Sequence, residues 1–168
     1  MQPHLTLQSW WFQTEAGITT RSSSEAEIAA LEQHYGVSLP DDFREYLRAG
    51  APAAPNWDAE DGNWWPMERI KNIPDEYPHP VGDEIAPNAI QHLVFLDFSI
   101  WSWAWAISCA SDDTHGKVAI IGGGGASDGY VADSFTEFVQ KYTTDWHSIS
   151  QVQKAGALDR FRAWIGRS

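Results

Sequence analysis

The clearest hydrophobic pattern lies between residues 24 and 50. Ser24-Glu25-Ala26-Glu27 has the spacing of a capping box, in which the serine hydroxyl accepts from the N3 amide and Glu27 reaches back to the cap. Ile28, Leu31 and Tyr35 follow at helical intervals, and Gly36 suits the left-handed residue that closes a helix. Pro40 opens a second helix, and Asp41 and Asp42 complement its positive end. Phe43, Tyr46 and Leu47 form its apolar stripe before Gly50 stops it. A second capping box, Ser134 to Glu137, leads a third helix with Phe135, Phe138, Val139 and Tyr142 as its inner face. A last helix is expected from Ser148 or Ser150 onward, carrying Val152, Leu158, Phe161, Trp164 and Ile165, with Lys154, Arg160, Arg162 and Arg167 toward its negative end.

Between these helices the period changes to two. Leu93–Phe98 and Ser102–Cys109 read as strands joined near Ser99-Ile100, and Lys117–Ile121 as a third strand that returns antiparallel after the polar turn Ser111–Gly116. Trp101, Trp103 and Trp105 alternate, which puts the three indoles on one face; Ser102, Ala104, Ala106 and Ser108 make the other face smooth. Trp64–Ile70 reads as a short edge strand, because Pro66 has no amide to give a ladder. Ala51–Asn63 is turn-rich and acidic, and Lys71–Asn88, with Pro74, Pro78, Pro80 and Pro87, is aperiodic. An irregular stretch of that length is uncommon in a compact domain unless it binds something. The N-terminal cluster Leu5, Leu7, Trp10, Trp11 and Phe12 is expected to dock on the core, as a helix or as a strand.

Composition narrows the class. With 168 residues, 43 % of them apolar, the chain can bury a sizeable core as one domain over residues 1–168. It has no apolar run of about 18 residues to span a membrane and no charged-then-apolar signal segment, so a cytoplasmic location is expected. Cys109 is the only cysteine, so intramolecular disulfides are impossible and a buried strand residue is the expectation.

Charge changes the picture more. The net charge of −12 opposes direct binding to nucleic acid. It is also localised: residues 51 to 115 carry eleven acidic side chains against Arg69 and Lys71, leaving nine of the twelve net charges there. Acidic surface commonly serves solubility alone; the sharper reading is a patch that steers a basic partner.

Candidate chemistry is sparse. His4, His34, His79, His92, His115 and His147 show no HxxxH spacing, and a single cysteine excludes most structural zinc sites, so no metal or cofactor is expected. The Asp58/Glu60 and Asp83/Glu84 pairs lie in loop-like stretches and read as solvated charges rather than acid–base partners. The Gly122–Gly125 run lacks both the GxGxxG spacing and a following Gly-Lys-Ser/Thr, so a flexible turn is favoured over a phosphate cradle. No GxSxG elbow occurs, and no serine or cysteine has an evident base. An enzyme is therefore the least supported class. The tryptophan row is a conceivable sugar platform, but the area each ring buries favours a core role.

The helical signals in order, Glu27-Ile28, Leu31-Glu32, Tyr35-Gly36, Leu39-Pro40, Asp42-Phe43, Tyr46-Leu47 and Gly50, resemble the opening signature of the SUKH superfamily, which includes the fungal cell-wall assembly regulator type. Gly116-Lys117-Val118 matches the intervening strand, and Val131 to Val139, VADSFTEFV, is similar to the closing helix. The resemblance covers about Ser24 to Asp145; where the family often has a Gly-rich segment between its central strands, Ser99-Ile100-Trp101 stands here. It implies an α+β fold with a largely antiparallel β-sheet and flanking helices, and no catalytic residues. It further implies a bacterial immunity protein that neutralises a cognate toxin domain, commonly a nuclease, or alternatively a regulatory scaffold module. The carboxylates Asp58, Glu60, Asp61, Asp75, Glu76, Asp83 and Glu84 are then the expected steering charges, and Trp57 and Trp64 the expected exposed anchors.

Overall fold

The N-terminal aromatic cluster forms a helix, α1 (Pro3–Gln13), with proline in its first turn and with Leu7 and Trp11 buried. The computed structural model describes residues 2–123 and 127–152. After β1 (Thr20–Arg21), α2 (Glu25–Tyr35) starts on the expected box: Glu27 N donates to Ser24 Oγ at 3.2 Å and Ser24 N donates to Glu27 Oε2 at 2.7 Å. Gly36 closes α2 with φ +64°. α3 (Asp41–Gly50) buries Phe43, Tyr46 and Leu47, and β2 (Ala51–Pro52) then pairs with β1.

The remaining strands build one antiparallel sheet. They are β3 (Asn56–Trp57), β4 (Gly62–Trp64), β5 (Lys71–Asn72), β6 (His92–Phe98), β7 (Trp103–Ser108), β8 (Val118–Ile121) and β9 (Gly129–Ala132). Their order is β3-β4-β6-β7-β8-β9, and β5 pairs with β6 on the edge that β4 also uses. The short helix α4 (Ile73–Glu76) follows β5, and α5 (Phe135–Thr144) follows β9 on the expected Ser134 cap. The fold is thus α+β with a largely antiparallel sheet.

One face of the sheet is covered by α1, α3 and α5. There Trp64, Phe95 and Trp105 meet Phe43, Tyr46, Phe135, Phe138 and Tyr142 in ring contacts with centroids about 5–6 Å apart, mostly tilted or edge-on as aromatic quadrupoles prefer. A register shift between Val94 and Leu96 lets Phe95 join this layer beside its neighbours. The smooth face, with Ala104, Ala106 and Ala119 fully buried, is covered instead by the stretch between Trp65 and Gln91, which touches β6 through α4 and a 3-10 turn at Ala86–Gln91.

Three expectations need correction. Trp64–Ile70 is not one edge strand: β4 ends at Trp64 and lies inside β3, Trp65 N still donates to Phe95 O at 3.0 Å, Pro66 leaves the ladder, Met67–Arg69 makes a 3-10 turn, and pairing resumes at Lys71. Residues 71–88 are irregular only in their middle, 77–85, since they open with β5 and α4 and close on the start of the 3-10 turn at Ala86–Gln91 that covers the second face. Trp101 is not in the tryptophan row. Ser99, Ile100 and Trp101 all have positive φ (45°, 57° and 61°), so the chain reverses before β7 and carries the Trp101 indole elsewhere. The left-handed conformation costs roughly 1–2 kcal/mol for each non-glycine residue, so the turn requires anchors. Of the final helix expected from Ser148 or Ser150 onward, the described residues hold only the 3-10 turn Trp146–Ser148 and the non-helical stretch to Val152, and the rest lies outside the described residues.

Candidate functional site

The loops at one end of the sheet hold the predicted residues, and two buried carboxylates shape them. Asp58 sits at the base of the β3–β4 hairpin, only 7 % exposed. Its Oδ1 accepts from Gly62 N and Glu60 N, each at 2.9 Å; its Oδ2 accepts from Trp64 Nε1 at 2.8 Å and Tyr142 Oη at 2.6 Å. Four donors satisfy it, with no cation within ion-pair distance among the described residues. Burial pushes its carboxyl up from the ordinary range, against the pull of those hydrogen bonds. The same burial, with the Asp58 charge alongside, pushes the Tyr142 hydroxyl well up. A Cβ at residue 62 would run into Tyr142 Oη, which explains the glycine. The expected steering residue Asp58 and the expected exposed anchor Trp64, which is fully buried, are therefore interior parts of the hairpin's attachment.

Asp97, 2 % exposed, performs the corresponding task on the opposite face. Its Oδ2 accepts from Trp65 Nε1 at 2.7 Å and Asn63 Nδ2 at 3.1 Å, and its Oδ1 accepts from Trp101 N at 3.1 Å. The Trp101 ring lies parallel to Tyr77 at 5.2 Å and donates through Nε1 to Glu76 at 3.1 Å. Ser99 N donates to Asp61 O at 3.0 Å, tying the two hairpin tips together. These bonds hold the three left-handed residues in place.

The other predicted residues divide by surroundings. Trp57, 44 % exposed, and Glu60 and Asp61 are at the surface of the β3–β4 hairpin. Asp75 is exposed on α4 and accepts from Tyr35 Oη at 3.4 Å. Glu76 is half-buried and lies near Arg69 and Lys71 at 3.7 and 3.9 Å, so its charge is locally balanced. Asp83 and Glu84 are exposed in the turn before Ile85. Among the described residues, no Lys, Arg or His lies within ion-pair distance of Glu60, Asp61, Asp75, Asp83 or Glu84. The structure thus joins Trp57, Glu60 and Asp61 in one hairpin, and leaves the α4 pair and the Asp83/Glu84 turn as separate acidic loops.

Sequence reasoning missed Ile100. It is 85 % exposed at the tip beside Asp61, an apolar residue where the turn pushes it into water. The available signal was an isoleucine placed between two serine-flanked strand ends, where turn chemistry favours polar residues or glycine.

Burial pushes the Cys109 thiol up to about 12, which suits a packing residue better than a nucleophile. His92 is buried, bonded through Nδ1 to Asn88 O at 2.7 Å and through Nε2 to Tyr130 Oη at 3.0 Å, and burial pushes its pKa down. Among the described residues no three potential ligands cluster for a metal, and no helix is long and apolar enough to cross a membrane.

The arrangement of α2, α3, antiparallel sheet and α5 has a counterpart among known families. A family model for SMI1 / KNR4 (SUKH-1) matches residues 22–141. The chain belongs to the SMI1 / KNR4 family (SUKH-1). No curated protein matches it. The SUKH-1 match begins just before the α2 cap and ends within α5, so it contains both buried carboxylates and every predicted surface residue.

Proposed function

We propose that this SUKH-1 chain is an immunity protein of a bacterial toxin system. It acts in the cytoplasm, where it binds and neutralises a cognate toxin domain by occlusion, without a reaction of its own. The observation that carries the reading is the set of exposed carboxylates with no described cation partner, Glu60, Asp61, Asp75, Asp83 and Glu84, on three neighbouring segments of a chain of net charge −12. A nuclease must present basic surface to nucleic acid, and an acidic protein that occupies this surface competes directly with the phosphates. Complementary charge also speeds encounter, which matters when a toxin must be caught before it acts.

The test is co-expression with the toxin domain encoded by the neighbouring gene. Growth should be rescued and the two proteins should co-elute as a complex whose association rate falls steeply with salt. Continued toxicity with no complex would refute the reading.

A further inference from the structure

The β6–β7 tip is the most conspicuous apolar feature facing solvent near the acidic loops. Ile100 is 85 % exposed, and Trp57, in the hairpin joined to it, is 44 % exposed. Both hairpins are fixed rather than loose. Ser99 N is bonded to Asp61 O, Ser102 Oγ to Ser99 O at 2.9 Å, and Trp101 is clamped by Asp97, Glu76 and Tyr77. Gly122 makes room for that clamp, since a Cβ there would press on the Trp101 ring at 3.0 Å. The whole assembly therefore holds a β-branched side chain at φ +57° and outside the core, an arrangement that burial energy alone would not select. Such a rigid projection loses little freedom on being covered, which is the property of a good binding anchor.

The charges around it identify the kind of partner. Glu60 and Asp61 stand beside the tip without described cation partners, so the surface is an apolar knob with an acidic collar. We propose that Ile100 is the central anchor of the partner interface: it enters an apolar pocket on a basic protein domain, Glu60 and Asp61 face the lysines and arginines around that pocket, and Trp57 covers its rim. This inference rests on the immunity reading and locates its contact. Desolvated anchors ringed by polar contacts carry most of the energy of such interfaces.

The experiment measures the full chain against the purified, catalytically disabled domain encoded by the neighbouring gene. Ile100→Gly removes the anchor while suiting the left-handed backbone, so the fold should melt at the same temperature or higher. Its Kd should nonetheless weaken by at least about thirty-fold, as expected for a hot spot. Glu60→Gln with Asp61→Asn, the latter tolerant of positive φ, should slow association several-fold and flatten its salt dependence. Phe12→Ser, on the exposed side of α1, is the control and should leave binding unchanged. Unaltered affinity in Ile100→Gly, with the unmodified chain still binding, overturns the anchor and leaves the immunity reading standing. Absence of binding by the unmodified chain overturns both.

Discussion

On α2 and α3 the glutamates have company: Glu25 and Glu45 meet Arg48, Glu27 meets Arg21, and Glu32 meets Arg44 at 2.7 Å. On the loops at Glu60, Asp61, Asp75, Asp83 and Glu84, no described cation stands within reach. The difference shows two uses of the same side chain. In the helical pair, acidic residues complete caps and bridge elements: Glu27 bonds the Ser24 amide, and Glu32 also accepts Leu39 N at 3.0 Å. In the loops they contribute little to the fold and leave a field directed outward. Exposed ion pairs are themselves worth only about 0–1 kcal/mol, so leaving these charges unpaired forgoes little stability while keeping their potential at the surface.

The comparison can be broken most severely beneath the loops. Asp58→Ala should leave the donors of Gly62, Glu60, Trp64 and Tyr142 without their acceptor, and denaturant melts should show a loss of about 3 kcal/mol or more. Gly62→Ala should cost about 2–3 kcal/mol in the same assay, by overpacking against Tyr142. Within the helical pair, Arg44→Ala should cost about 1–2 kcal/mol, because Glu32 is three-quarters or more buried and loses a charged partner. Neutralising Glu60 and Asp61 together should change stability by less than about 0.5 kcal/mol, while altering association. Equal losses in these last two experiments would erase the distinction between paired and unpaired acids.

The smallest effect is in titration, where the two groups have opposite signs. Glu27 is held below its usual range by the Ser24 amide and Arg21, so its stabilising share is present above the unfolded value and disappears as pH falls through the lowered one. Asp58 is raised by burial, so its effect runs the other way: the folded state gains protons first, and stability declines as pH rises from the unfolded value through the raised one. Carbon-13 NMR of the carboxyl groups should place Asp58 above and Glu27 below ordinary carboxylates. Coincident titrations would remove the contrast.

Legibility in the sequence followed the same division. The capping box at Ser24, the Ser134 cap (where Glu137 reaches back to Asp133 N and not to the cap amide), the stripe of Phe43, Tyr46 and Leu47, and the strands β6 to β8 are local signals, and local signals survive folding. What was not legible depends on distant partners. Residues 71–88 look aperiodic because their short elements are fixed by the sheet beneath them and not by their own repeat. Asp58 looked like one more acid in an acidic loop until the Trp64 indole and the Tyr142 hydroxyl came to it from a strand and from a helix 84 positions on. Trp101 kept the spacing of a strand while three left-handed residues turned it away.

The attachment of the β3–β4 hairpin also bears on how such a protein changes over time. Asp58, Gly62 and Tyr142 form a socket in which each member limits the other two, so substitutions there must come together or not at all. Residue 60, held by that socket but contributing little to it through its side chain, can be exchanged at small cost, whereas residue 61, at φ +58°, favours Asp, Asn or Gly. A fixed socket beneath a variable tip lets the outer residues of the hairpin change without refolding the domain.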